Sequence, residues 1–281
     1  MVWSNSGLKH MNKQEGYEAI LTGLLDDFVK TERDEKIREY LASNSNLPGP
    51  RGNLELTYAF AKVTACESAN HPHKMWALVQ GLLDITPNQA PVNDPKEILP
   101  FCGAVAIGAI GSVNDAFGRT AFDRLRRAAN DPRWRTREGV AMGLQRLIAR
   151  QGQSALVELD NWIVGSEWLA MRAVAAGVAE PSILTDERIA ADALELHKKI
   201  IAQMLASDER RTIEFRTLRQ ALGYSLSVVV RAAPRPGFDF LNKLAGSSDA
   251  DIRWIMKENL KKNRLTSNFP KEVAELSNRL K

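Results

Sequence analysis

The chain has 281 residues, of which 44% are hydrophobic and 26% charged, so it is long and apolar enough to bury a substantial core and is not a disordered polymer. Its two cysteines, Cys66 and Cys102, are too few for a disulfide framework and lack metal-site spacing, so both are expected to be buried. The net charge of +4 permits an anionic partner but does not require one.

The first 97 residues combine helical periodicity with a strong loop signal. Residues 1–14 are polar and lack the apolar core of a secretory signal, so we predict a flexible leader on a cytoplasmic protein. An apolar helical stripe begins near Tyr17, and a Pro- and Gly-rich loop follows at residues 48–52. Asn53 is predicted to cap the next helix. We assign residues 15–97 to degenerate N-terminal helical repeats.

An apolar helix is expected at residues 98–113. Its longest apolar run, residues 101–113, is shorter than the roughly 20 residues that a bilayer requires, so we predict a buried helix and no membrane partner. A dinucleotide-binding loop follows a β-strand, but no strand precedes Gly103, Gly108 and Gly111. We therefore predict that these glycines allow close contact between helices.

The remaining chain is predicted to form helical hairpins. Asp131 and Pro132 are expected at the N-cap and first position of one helix, and Pro234 and Pro236 are expected to end another. We assign residues 98–281 to repeats with a C-terminal capping helix, in one continuous domain. The expected helical segments are 116–129 with a partner from 133, 156–164 with 168–179, 187–205 with a partner through 218–229, 238–244 with 252–260, and a cap at 269–280.

Four arginines recur near the start of apolar helical stripes. Arg137, Arg172, Arg219 and Arg253 lie 35, 47 and 34 residues apart. Such spacing is typical of a helical solenoid, in which each unit buries its apolar face by stacking on the next unit. The predicted fold is therefore all-α, a right-handed α-α superhelix of helical hairpins.

Two turns carry a resemblance to a known repeat. Residues 131–138 (DPRWRTRE) and 249–254 (DADIRW) each place an acid in the turn and an arginine early in the following helix. In this respect residues 98–265 resemble HEAT repeats. The resemblance implies a rigid scaffold with a curved surface, whose ligand is chosen by a few side chains on one face.

The densest basic segment is residues 119–150, in which nine arginines and three acids leave an excess of six positive charges. Arginine suits bidentate contact with phosphate or carboxylate, so this segment is either an anion-binding patch or a solvated helix face. The patch residues are Arg126, Arg127, Arg133 and Arg135.

Tryptophans stand near the start of three second helices of the predicted hairpins. They either line the concave face of the solenoid or pack between its turns as core. The candidate binding residues are Trp134, Arg137, Trp168, Arg172, Arg253 and Trp254.

Residues 161–173 (NWIVGSEWLAMRA) are similar to segments of the HEAT-like DNA-alkylation-repair glycosylases. The likeness implies that Trp162 or Trp168 contacts damaged DNA and that Arg172 contacts a phosphate. The sequence departs from that family because no Asp follows a Trp by one helical turn, and Asp160 precedes Trp162 by two residues.

No catalytic, cofactor or metal site is predicted. His71 and His73 flank Pro72 in what reads as a surface turn, with no third ligand nearby. The sequence therefore favours a non-enzymatic scaffold whose partner is another protein. Nucleic-acid binding, with glycosylase activity on alkylated bases, is the alternative.

Overall fold

A computed structural model describes residues 13–165 and 167–280 of the chain. The protein is all-helical, with 75% of its residues in helices and no strand within those described ranges. This confirms the predicted all-α class. The predicted leader falls mostly on residues 1–12, outside the described part, and residues 13 and 14 already belong to the first helix.

Fifteen α-helices and one 3-10 turn, Pro95–Glu97, account for the described helical residues. The α-helices are α1 Lys13–Thr31, α2 Glu35–Ser43, α3 Leu54–Glu67, α4 Pro72–Leu83, α5 Ile98–Val113, α6 Asp115–Ala128, α7 Trp134–Gln151, α8 Gln153–Asp160, α9 Trp168–Gly177, α10 Glu187–Ala206, α11 Ile213–Ala232, α12 Pro234–Leu244, α13 Ala250–Leu260, α14 Asn263–Thr266 and α15 Pro270–Arg279.

The odd-numbered helices from α1 to α13 form one row, in which each helix packs against the next odd-numbered helix. The even-numbered helices α4, α6, α8, α10 and α12 lie beside this row and pack against its members. Most of the contacts between distant segments therefore join helices that belong to successive helical pairs.

Local signals place some helix ends and misplace others. The Asn53 side chain accepts a hydrogen bond from the Leu56 amide at 3.1 Å, which confirms the predicted cap of α3. The predicted cap of α7 is wrong: α7 begins at Trp134, and the Asp131 carboxylate instead binds the Arg133 amide at 2.8 Å. Helix α11 ends at Ala232, just before Pro234, as predicted, and Pro234 also begins α12, because proline suits a first turn where no amide donor is needed.

Helix α5 is the most buried helix of the row. An added Cβ at Gly108 would overlap the Gly143 backbone of α7, and one at Gly103 or Gly111 would meet α4 or α6, so the predicted role of these glycines is confirmed. The predicted buried helix is confirmed, although together with the turn before it the helix spans 19 residues, Pro95–Val113, and is long and apolar enough to cross a membrane by length and composition alone. Because 83% of its apolar window is buried against other helices, it is the central core helix.

Candidate binding surface

The repeat arginines link neighbouring helices. Arg172 of α9 donates to the Arg137 carbonyl of α7 at 2.8 Å and pairs with Glu138 at 2.6 Å. Arg219 of α11 pairs with Asp251 of α13 at 2.7 Å. Each of these guanidinium groups thus binds a neighbouring helix of the row: Arg172 binds the preceding helix and Arg219 the following one.

The other two candidate arginines bind backbone carbonyls. Arg137 donates to the carbonyls of Asp131 and Pro132 at 2.7 and 2.9 Å, and burial together with the nearby Arg172 lowers the pKa of its guanidinium. Arg253 donates to the Leu280 carbonyl at 2.8 Å. Both arginines are half-buried, and their guanidinium groups bind backbone carbonyls outside the helices that carry them.

The predicted basic patch is not a continuous surface. Arg133 and Arg135 are only 1% and 4% exposed, so the expectation that they lie on the surface is wrong. Arg126 pairs with Glu167 at 2.9 Å, while Arg127 is exposed. Arg133 and Arg135 are buried because they bind backbone carbonyls and a carboxylate of the loop before α5.

Two buried arginines hold that loop. Arg133 pairs with Asp131 at 2.6 Å and donates to the Ile85 carbonyl at 2.8 Å. Arg135 pairs with the fully buried Glu97 at 2.7 Å and donates to the Gly49 carbonyl at 2.5 Å. The Pro- and Gly-rich loop at residues 48–52 is thereby fastened against the start of α7.

The candidate tryptophans differ in exposure. Trp168 is 3% exposed, and its ring packs edge-on against Phe215 with centroids 5.4 Å apart, so its expected place on a surface is wrong. Trp162 is 1% exposed, which also removes the contacts that the glycosylase resemblance implied for both rings. Trp254 is half-buried, with the Arg219 guanidinium 4.5 Å from its ring centroid. Trp134 is 44% exposed.

Trp134 borders a pocket in a groove that runs over α5 between α3 and α7. This pocket, the Trp134 pocket, has a volume of about 400 Å³. The Arg135 guanidinium lies 4.5 Å from the centroid of the Trp134 ring and so covers part of it. The apolar side chains that line the pocket are Pro50, Leu54, Tyr58, Phe101, Trp134 and Met142.

A second pocket of about 620 Å³ continues the groove toward the C-terminal ends of α3 and α5. We call it the Arg146 pocket, and Tyr58 lines both pockets. Arg146 of α7 lies 5.6 Å from the centroid of the Tyr58 ring of α3, so this pair joins the two walls of the groove. Cys66 also lines the pocket and is exposed, which corrects the expectation that it is buried.

Leu54, Tyr58 and Arg146 were not singled out from the sequence. Leu54 and Tyr58 are four residues apart on α3, opposite the buried stripe through Leu56 and Phe60. A second apolar stripe on one helix is a usable signal of a second contact surface. Arg146 gives no such signal, because its setting depends on Tyr58, 88 residues earlier in the chain.

A nucleophile–base geometry occurs once among the hydrogen bonds of the described chain, inside the core. His197 Nε2 lies 2.9 Å from Ser225 Oγ, and its Nδ1 lies 2.9 Å from the Ala193 carbonyl oxygen. Both side chains are 0% exposed, so no substrate reaches them. Within residues 13–165 and 167–280, no group of three or more His, Cys, Asp or Glu side chains is placed to hold a metal ion.

A scan against protein-family models finds no match to this chain, and a search of curated proteins finds none either.

Proposed function

We propose that the protein is a non-enzymatic scaffold, a right-handed α-solenoid of HEAT-like hairpins, which binds an extended segment of another protein in the groove over α5. The successive packing of the odd-numbered helices supports the solenoid arrangement, since each helix of the row finds its partner in the neighbouring pair. In this proposal residues 15–280 form one continuous domain in which the N-terminal helices act as degenerate repeats.

The observation that carries the proposal is a cluster of exposed apolar side chains along the groove. Leu54, Tyr58 and Trp134 are 39%, 37% and 44% exposed and border the same pocket. Val113, at 60% exposure, lines the adjoining pocket. Exposed apolar side chains that gather in a concave site mark binding surfaces, and Trp and Tyr are the residues that most often anchor partners there.

Nucleic-acid binding has less support. Arg124, Arg126 and Arg133 pair with Asp84, Glu167 and Asp131, so the basic segment presents far less free charge than its sequence suggests. Phosphate binding draws its affinity from uncompensated cations. The burial of Trp162 and Trp168 also removes the rings that would stack on a base.

We also place the protein in the cytoplasm. Both cysteines are free thiols, which suits a reducing compartment. No cofactor enters this proposal, because binding alone is its mechanism.

A photo-crosslinking experiment tests the proposal. The amino acid p-benzoylphenylalanine replaces Leu54 in the full chain, which is expressed and irradiated in its native cell. We expect one dominant crosslinked protein, and we expect the crosslink to be lost when Trp134→Ala is added, because partner and probe share the pocket. Mass spectrometry of the crosslinked peptide then identifies the segment that is bound.

The matched control carries the same probe at Val157, which is 68% exposed on α8, away from the groove. Equal crosslinking from positions 54 and 157 would contradict the proposal. So would crosslinks to nucleic acid, or retention of the protein on a 30-nucleotide DNA at physiological salt.

A further inference from the structure

The Arg146 pocket has an unbalanced positive charge. Its two cationic lining residues are Lys62 and Arg146, and no acidic side chain is among its lining residues. Lys62 is neutralised by Glu18, whose carboxylate lies 2.7 Å from its Nζ. Within the described part of the chain, Arg146 is the cation of this pocket that has no carboxylate partner.

Arg146 differs in this respect from two arginines earlier on the same helix, the buried Arg135 and the half-buried Arg137. Arg135 and Arg137 each bind oxygen atoms, whereas the contact found for Arg146 among the described residues is with the face of the Tyr58 ring, 5.6 Å away. Arg146 is half-buried, and burial lowers the pKa of its guanidinium, but an arginine side chain remains protonated in proteins. A partly desolvated guanidinium with free donors favours an anion that can accept two hydrogen bonds.

We propose that the Arg146 pocket receives an Asp or Glu side chain of the bound segment, whose bulky apolar residue occupies the Trp134 pocket. This inference rests on the proposed function and adds the chemistry of the partner to it. The ring of Tyr58 contacts both pockets, so a single segment that follows the groove meets the apolar site first and the cationic site next.

Helix α7, which forms one wall of the groove along both pockets, sets the spacing of these two residues. Trp134 and Arg146 are twelve positions apart on α7, which at 1.5 Å per residue is about 18 Å. An extended chain covers about 3.3 Å per residue, so the acidic residue is expected about five or six positions from the apolar one.

The test is a selection from a phage library of random 12-residue peptides against the full chain. We expect enriched peptides to combine a Trp, Phe or Leu with an Asp or Glu at about that spacing. Synthetic peptides from the selection should lose at least about tenfold in affinity on Arg146→Gln, and also when their acidic residue is replaced by the matching amide. The two changes together should cost little more than either alone, because they remove the same ion pair.

Arg150→Gln is the matched control, since it removes the same charge one turn further along α7, where the side chain is exposed and lines neither pocket. A normal melting temperature of Arg146→Gln establishes that the variant is folded. If the melting temperature of Arg146→Gln is lowered, the Arg146→Lys variant and the replacement of the peptide's acidic residue by its amide still test the ion pair.

The outcomes separate the two proposals. No enriched peptide, or peptides indifferent to Trp134→Ala, would overturn the proposed function and this inference with it. Peptides that need Trp134 but lack an acidic residue, or bind Arg146→Gln unchanged, would overturn this inference alone. Sodium glutarate that binds as tightly as the peptides would also overturn it, because the pocket would then recognise a free dicarboxylate.

Discussion

Arg172 of α9 donates a hydrogen bond from Nη1 to the backbone carbonyl of Arg137 in α7, at 2.8 Å. Its Nη2 binds the Glu138 carboxylate at 2.6 Å, so one side chain ties together two helices of the row. Two steps along, Arg219 and Asp251 connect α11 to α13. Two of the four recurring arginines, Arg172 and Arg219, therefore connect neighbouring helices of the row.

Replacement of Arg172 by Gln should destabilise the protein without unfolding it. The variant loses a charge-assisted bond to a carbonyl and one to a half-exposed carboxylate, worth about 1–3 kcal/mol together. Equilibrium urea unfolding measures the loss. Arg119→Gln, an exposed arginine of α6, is the control and should change the free energy of unfolding by less than about 0.5 kcal/mol. Equal effects of the two changes would contradict the linking role.

Helix content and the cap of α3 follow from the sequence because they depend on neighbouring residues. Asn53 caps α3 through an amide three residues away, and the glycines of α5 mark close helix contacts wherever they meet another helix. Those features need only short-range rules of spacing and side-chain size.

Exposure of a given side chain does not follow in the same way. Trp134 and Trp168 both begin a helix, yet one is exposed and the other is buried against Phe215. The difference arises from the rotation of each helix about its axis relative to the helix it packs against. The sequence of a single helix does not determine that rotation. Likewise, Arg135 is neutralised by Glu97, 38 residues away, so a count of charges along the chain overstates the basic surface.

An alanine at Gly108 should cost stability because its methyl group would overlap the Gly143 backbone, which cannot rotate away as a side chain can. We expect a loss of about 1–3 kcal/mol, measured by urea unfolding. Gly23→Ala in α1 is the matched control, since nothing lies within 4 Å of its added Cβ. That change should stabilise the helix by about 0.5–1 kcal/mol. If Gly108→Ala left the free energy of unfolding unchanged, α5 and α7 would have to separate easily to make room for the methyl group.

Removal of the Arg135 guanidinium should be more damaging than removal of the whole ion pair. Arg135→Met leaves Glu97 buried and without its cation, at a cost of about 3–5 kcal/mol. The double variant Glu97→Gln with Arg135→Met should recover part of that loss, because no buried charge remains. Urea unfolding of the three proteins is the measurement.

Hydrogen exchange gives a local readout of the same pair. Arg135 also binds the Gly49 carbonyl, so peptides covering residues 48–52 should exchange faster in Arg135→Met than in the native protein. Unchanged exchange there would mean that the loop is held by other contacts.

The stability of the protein should fall with acid in a way that depends on His197. Burial lowers the pKa of this histidine from 6.5 to about 4, with its ring held between Ser225 and the Ala193 carbonyl. Between those two values the unfolded chain binds a proton that the native chain does not, so the free energy of unfolding decreases as the pH falls through that window. The full effect is about 3 kcal/mol.

His197→Gln should remove this contribution, whereas His73→Gln, at an exposed site on α4, should keep it. Urea unfolding at pH 7.0, 5.5 and 4.5 compares the three proteins, and carboxylates common to all of them cancel in the differences. Parallel curves for the native and His197→Gln proteins, or an NMR titration of the His197 ring with a midpoint near 6.5, would contradict the prediction.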